Sequence, residues 1–193
     1  MNWLAYVLVL GVALAVDASL GLVLTLHGLG GIKPMFTVPV VVFAALFAHR
    51  STACWAALAG GLLVDFSTPL LVAGRPPLYV PGPHALGFLF ATLLILQLRA
   101  MVFRTRMLTM VVFSGVFVVA AGLVVVSLYV IRSYLPGEAA AYPMADTALR
   151  ELLRRLGTGV YTAAIAAPMG WLLLWSLPLW DMPHATARGR GTR

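Results

Sequence analysis

Six apolar runs, separated by segments rich in glycine, proline and charge, occupy most of this 193-residue chain. The clearest run covers residues 108–131, which makes 24 residues without a charged side chain. A helix needs about 20 consecutive apolar residues to cross the hydrocarbon core of a bilayer. The pattern therefore predicts an all-α integral membrane protein rather than a soluble domain with one anchor.

Composition supports this class. Hydrophobic residues make up 62% of the chain and charged residues only 10%, whereas soluble domains are about half apolar and about a quarter charged. The net charge of +7 comes from cations at the ends of the apolar runs, where they act as topology signals and contact lipid head groups. Nucleic-acid binding is not indicated. The single cysteine, Cys54, excludes an internal disulfide and a cysteine-based zinc cluster.

The runs predict six transmembrane helices in one domain, residues 1–180, followed by a basic, disordered cytoplasmic tail, residues 181–193. The predicted helices cover residues 3–26, 35–48, 53–71, 84–98, 108–131 and 157–179. The second helix is short, with 14 residues. It forms either a short span or half of a re-entrant hairpin. The hairpin would bury Arg50 at a cost of about 3 kcal/mol, so two short spans are favoured.

Orientation follows from the cations between the spans. Six spans place both termini on the same side of the membrane. That side carries seven Lys and Arg residues and the opposite side six. Because positive residues are enriched in cytoplasmic segments, this small excess favours cytoplasmic termini.

A short amphipathic surface helix is predicted over residues 146–156, before the sixth span. Its leucines recur at helical spacing, and arginines occupy the other face. We consider two interpretations: a helix that lies in the membrane interface, or a docking face for a partner. The residues that define the two faces are Leu149, Leu152, Leu153 and Leu156 on one, and Arg150, Glu151, Arg154 and Arg155 on the other.

Two carboxylates, Asp17 and Asp65, lie inside apolar spans. Each follows a polar residue at the predicted inner surface, Asn2 or Arg50, by 15 residues. At 1.5 Å per residue both lie about 22 Å above that surface, so they are predicted to share a layer near His84. One interpretation is a polar clamp between helices one and three, and the other is a site that handles a substrate.

Known intramembrane enzymes require motifs that are missing here. Leu63 and Val64 precede Asp65, where an intramembrane aspartyl protease has a glycine two residues before its aspartate. A lipoprotein signal peptidase needs asparagines near its aspartates, and Asn2 is the sole asparagine. Ser114 lacks the preceding glycine of a rhomboid-type motif. The sequence therefore predicts a protein that is not an enzyme and has no cofactor or metal site.

Small residues recur in the later helices. Small residues allow helix backbones to approach in lipid, so they serve packing within the bundle or form a groove for a partner helix. They are Gly60 and Gly61 in helix three, Gly115 and Gly122 in helix five, and Gly157 and Gly159 in helix six.

Several short motifs together resemble the MreD family of bacterial rod shape-determining membrane proteins. They run in the family's order through most of the chain. They are DASL at residues 17–20, AGGLLVDFSTPL at 59–70 with Pro69, HALG at 84–87 after Pro83, GTGVYTA at 157–163 with Tyr161, and the later Pro168. Residues 71–82 resemble an insertion relative to the family.

The resemblance implies a non-catalytic scaffold of the cell-wall elongation (rod) complex, which maintains cell shape. It implies a multi-pass protein of the bacterial cytoplasmic membrane with both termini cytoplasmic. Its partner would be an MreC-like membrane protein, with MreB, RodA and a class B penicillin-binding protein bound indirectly. The implied fold also resembles the substrate-binding subunits of energy-coupling-factor vitamin transporters. The alternative function is therefore a small-molecule binding subunit of a transporter.

Overall fold

The computed structural model describes residues 1–26, 28, 31–68, 79–100, 107–134 and 148–180. Over these residues the fold is all-α with six helices, as predicted. The tail at 181–193 and residues 71–78 of the predicted insertion at 71–82 lie outside the described residues. The helices are α1 Trp3–Val23, α2 Thr37–Phe47, α3 Arg50–Ser67, α4 Pro83–Leu98, α5 Met107–Ser133 and α6 Ala148–Trp175, with a final 3₁₀ helix at Leu177–Trp180.

Three of the described helices are long and apolar enough to cross a membrane. These segments are Trp3–Gly21, Met107–Arg132 and Leu149–Trp175. The helices α2 and α4 are apolar but shorter. An integral membrane protein is thus consistent with the structure, while the number of six spans stays a prediction.

The short helix α2 is the centre of the bundle. All eleven of its residues are buried, and it contacts each of the other five helices. At 1.5 Å per residue it is about 16 Å long, which is well short of the roughly 30 Å hydrocarbon core. The helix has 11 residues instead of the 14 predicted over residues 35–48, and its role as a span stays a prediction. This helix begins inside the protein, because α1 and α3 to α6 cover it on all sides.

The two ends of the described bundle lie together. The amide of Asn2, before α1, donates a hydrogen bond to the carbonyl oxygen of Trp180 at 2.9 Å. At the same end, Arg99 after α4 donates to the carbonyl oxygens of Ala45 and Ala48 at the end of α2. The first and last described helices therefore begin and end at one side of the bundle, which agrees with an even number of passes.

The sixth helix is longer than predicted. It runs without a break from Ala148 to Trp175, so the predicted boundary between a surface helix and a sixth span at Leu156 is wrong. Glycine lowers helix propensity by only about 1 kcal/mol, and Gly159 packs against the carbonyl oxygen of Gly115 in α5. The helix therefore continues through Gly157 and Gly159. Asp146, which was expected to begin the surface helix, lies outside the described residues.

The first turns of α6 are nevertheless amphipathic. Leu149 and Leu153 are 66% and 58% exposed. Glu151 forms ion pairs with Arg154 at 2.7 Å and with Arg155 at 2.9 Å. Leu152 is partly buried, and the stem of Arg155 lies against Gly122 of α5. A membrane-facing or partner-facing role for the leucines stays a prediction.

Close helix crossings connect α3, α4, α5 and α6 in sequence. A Cβ atom added at Gly61 would lie 2.5 Å from the Cα atom of Ala85, and one added at Gly87 would lie 2.8 Å from the carbonyl oxygen of Ala121. A Cβ atom at Gly159 would lie 3.2 Å from the carbonyl oxygen of Gly115. In lipid, such small residues let backbones touch. These glycines therefore pack the bundle itself.

Candidate functional site

Asp17 holds the beginning of α2. Its Oδ1 atom accepts the amide of Phe36 at 2.6 Å, and its Oδ2 atom accepts the amide of Thr37 at 3.0 Å. The first amides of a helix have no partner within the helix. At membrane depth, such donors are tolerated only where protein groups satisfy them. The carboxylate of α1 therefore acts as a cap for a helix that begins inside the bundle.

Asp65 performs the same task for α4. It accepts the amides of Gly82 at 2.8 Å, His84 at 3.0 Å and Ala85 at 3.3 Å. The Nδ1 atom of the His84 ring lies 2.7 Å from its Oδ1 atom. Pro83 stands in the first turn, where its missing N–H is not needed. Gly82 has a φ of 122°, a left-handed value that glycine adopts without strain.

The two caps have the same spacing along the chain. Asp17 binds amides 19 and 20 residues further on, and Asp65 also binds amides 19 and 20 residues further on. In each case a carboxylate of one helix accepts amides at the start of the next helix. The helix pairs α1–α2 and α3–α4 thus use one device twice.

The predicted clamp between helices one and three is not formed by these carboxylates. Their hydrogen bonds join α1 to α2 and α3 to α4, because the amides at each helix start are the nearest unsatisfied donors. The contact between α1 and α3 is made elsewhere: the buried hydroxyl of Tyr6 donates to the carbonyl oxygen of Ala56 at 2.7 Å. The sequence analysis did not single out Tyr6.

Arg99 was expected only as a topology signal, and the structure gives it a further role. Its Nη1 atom donates to the carbonyl oxygens of Ala45 at 3.0 Å and Ala48 at 2.9 Å. A cation at a helix C-terminus and an anion at its N-terminus both suit the helix dipole. In the sequence, Arg99 directly follows an apolar run, and this position marks it as a cation at a helix end. The position does not indicate which helix the side chain contacts.

A cavity of about 270 Å³ lies between α1 and α3, beside the segment that leads into α2. Asp17 and Lys33 bring one negative and one positive group to its wall. Hydroxyl groups and apolar side chains form the rest. The lining residues are Leu14, Asp17, Ala18, Gly21, Thr25, Lys33, Pro34, Met35, Val64, Ser67 and Thr68.

The other predicted site residues are dispersed. A Cβ atom added at Gly60 would meet the side chains of Val41, Tyr6 and Leu10, and one at Gly122 would meet the stem of Arg155. Other parts of the chain cover all five predicted groove glycines: Gly60, Gly61, Gly115, Gly122 and Gly159. These glycines therefore do not form the predicted groove for a partner helix. Tyr161 is half-buried and Pro168 is exposed, both inside α6. Pro69 lies outside the described residues.

Metal ligands do not cluster in the described part of the chain, where no three His, Cys, Asp or Glu side chains converge. Polar groups converge at the two helix caps and in the cavity beside Asp17. The chain matches no protein-family model, no curated protein and no solved structure.

Proposed function

We propose that this protein is a non-catalytic membrane scaffold of the MreD type, which holds the transmembrane helix of an MreC-like partner in the cell-wall elongation complex. It resides in the bacterial cytoplasmic membrane with both termini cytoplasmic. MreB, RodA and a class B penicillin-binding protein join through that partner. The assignment to the MreD type rests on the sequence motifs. The contacts of Asp17 and Asp65 and the outer face of α1 support a scaffold.

The two carboxylates inside the apolar helices stabilise the starts of other helices. Asp17 and Asp65 each satisfy at least two backbone amides at the start of a helix. Asp65 is only 3% exposed. Carboxylates committed to helix starts are poorly placed to act as nucleophiles or as general acids and bases, which favours a binding protein over a hydrolase.

The observation that carries the scaffold proposal is the outer face of α1. A Cβ atom added at Gly11 would meet no atom of the described residues within 4 Å, whereas the glycines at the crossings between α3 and α6 are all covered. Ala15 and Ser19 follow on the same exposed face at intervals of four. Beside them Leu8 and Val12 are 61% and 64% exposed. Small residues flanked by branched apolar ones form a surface on which another transmembrane helix packs closely.

The partner of α1 can be tested by filling this face. Gly11→Leu and Ala15→Leu each add a branched side chain on it, and we expect both to reduce co-purification with the MreC-like protein. Val160→Leu is the matched control, because Val160 is 75% exposed on α6. All variants must insert and unfold like the wild type. Unchanged co-purification of both α1 variants would exclude α1 as the docking helix.

A transporter subunit is the second candidate function, and the cavity beside Asp17 favours it. Small-molecule sites are typically concave and mostly apolar, with a few converging polar groups. A purified protein that releases a stoichiometric water-soluble molecule on denaturation would favour this function. Under the scaffold proposal no such molecule is expected.

A further inference from the structure

The cavity between α1 and α3 has a polar wall made mainly of hydrogen-bond acceptors. The hydroxyls of Ser67 and Thr68 donate to the carbonyl oxygens of Leu63 and Val64 in their own helix. Thr25 likewise donates to Gly21 in α1. Each hydroxyl oxygen then keeps only its capacity to accept.

Asp17 adds further acceptor capacity. Each of its carboxylate oxygens accepts one amide hydrogen bond, whereas a carboxylate has about four lone-pair sites. The lone pairs that accept no amide therefore remain on Asp17, which lines the cavity. A ligand that fits this wall must therefore donate hydrogen bonds, and a positive charge on the donor suits the carboxylate.

Lys33 provides the opposite property. Its ammonium group has three donors and no acceptor, and it is the cation among the described lining residues. An anionic oxygen group is the ligand chemistry that it favours. Since Asp17 and Lys33 carry one charge of each sign, a ligand that neutralises both is itself a zwitterion.

The rest of the lining is apolar, contributed by Leu14, Ala18, Pro34, Met35 and Val64. On the helices that form the walls, Leu20, Val23 and Phe66 are 45%, 79% and 53% exposed. In a membrane, exposed apolar side chains on these turns contact lipid chains. The volume of about 270 Å³ greatly exceeds the roughly 30 Å³ that one water occupies.

We infer that this cavity binds a zwitterion that combines a primary ammonium group with a phosphate or carboxylate, most simply the head group of an aminophospholipid. The ammonium binds Asp17, and the hydroxyl oxygens of Thr25, Ser67 and Thr68 are further acceptors along the wall. The anionic group binds Lys33, and the attached apolar chain leaves between α1 and α3. The same chemistry also belongs to a free zwitterion, and the experiment below separates the two sources. The inference does not depend on the scaffold proposal.

The test uses the full chain in nanodiscs that contain equal amounts of phosphatidylethanolamine, phosphatidylcholine and phosphatidylglycerol with identical acyl chains. Native mass spectrometry then measures which lipid stays bound. Phosphatidylcholine has no N–H donor on its cation, and phosphatidylglycerol has no cation. We expect phosphatidylethanolamine to be retained about tenfold over either, the effect of one charge-assisted hydrogen bond. Equal retention of the three lipids would overturn the inference.

Two variants locate the binding. Lys33→Gln removes the cation, and Ala18→Phe fills the cavity from an exposed position on α1. We expect both to lose the preference, while Arg50→Gln, an exposed cation at the other end of α3, keeps it. Melting temperatures must match the wild type, and Lys33→Gln alone suffices if Ala18→Phe does not fold. A preference that persists in Lys33→Gln would place the lipid elsewhere and overturn the inference.

Competition with O-phosphoethanolamine, which has the head group without chains, separates the sources. Displacement of the lipid by this compound would show that the cavity recognises the free zwitterion. Retained lipid selectivity in its presence would show that the acyl chains are required. A tightly held water-soluble molecule that blocks all lipid retention and lacks an ammonium group would contradict the inference.

Discussion

Asp17 and Arg99 hold opposite ends of one buried helix. Asp17 accepts the amides of Phe36 and Thr37 before and at the start of α2, and Arg99 donates to Ala45 and Ala48 at its end. An eleven-residue helix is marginal on its own, and both of its ends would otherwise leave unpaired backbone groups inside the bundle. The two side chains therefore determine where the central helix begins and ends.

Asp17→Asn is expected to destabilise the protein by about 1–3 kcal/mol. The amide keeps one oxygen acceptor but places an NH₂ group against the second backbone donor. Unfolding in mixed micelles, followed by circular dichroism, measures the change. Ser19→Ala, on the exposed side of the same helix, is the control and should have little effect. Equal stability of the two variants would contradict the capping role of Asp17.

Arg99→Gln should also destabilise the protein by roughly 1–3 kcal/mol, because the carbonyl oxygens of Ala45 and Ala48 lose their charged donor. Arg50→Gln removes an exposed cation and is expected to change stability by less than about 0.5 kcal/mol. Hydrogen exchange gives a second readout. In Arg99→Gln we expect faster exchange of the amides in the last turn of α2, and unchanged exchange would argue against the proposed contact.

Gly61→Ala tests the crossing of α3 and α4. The added methyl group would lie 2.5 Å from the Cα atom of Ala85 and 2.6 Å from the carbonyl oxygen of His84, so the two helices must separate. Overpacking of this kind costs about 1–3 kcal/mol. It should also lengthen the hydrogen bonds of Asp65, because its partners lie beside this contact.

Gly11→Ala is the matched control for Gly61→Ala, since its methyl group would meet no described residue within 4 Å. We expect it to be neutral or slightly stabilising, because alanine favours a helix over glycine by about 1 kcal/mol. Chemical or thermal unfolding of both variants in the same detergent provides the comparison. A Gly61→Ala protein as stable as Gly11→Ala would refute the close crossing.

Tyr6→Phe removes the hydroxyl that joins α1 to Ala56 of α3 at 2.7 Å. Loss of this buried hydrogen bond should cost about 1 kcal/mol. We expect the effect to be concentrated on α1, because it packs mainly on α2, α3 and the final 3₁₀ helix and not on α5. Proteolysis or hydrogen exchange of α1 should rise more than that of α5. A uniform change across the bundle would indicate a global effect instead.

Much of the fold could be predicted from the sequence. The apolar runs indicated all six helices, and the start of α4 at Pro83 and the end of α5 near Ile131 lie within two residues of expectation. The shared depth of Asp17 and Asp65 stays a prediction. What the structure shows is that each carboxylate lies beside the start of the helix that follows.

The hydrogen-bond partners of these carboxylates could not be predicted. The partners lie 17 to 20 residues away in the chain. Local patterns describe neighbours at three or four residues within a helix, so a contact at this separation leaves no periodic trace. Arg99 is a similar case, because its partners at Ala45 and Ala48 belong to a helix that ended 50 residues earlier in the chain.

The amino-acid sequence by itself determined that this chain forms apolar helices, where most of them begin and end, and which charges they carry. The tertiary structure decided that α2 is enclosed by protein, that Gly61 and Gly159 pack the bundle, and that Gly11 faces outward. The physical reason is that lipid chains and protein side chains are similarly apolar. Hydrophobic periodicity therefore cannot distinguish a face that contacts lipid from one that contacts another helix, and only the packed arrangement separates the two.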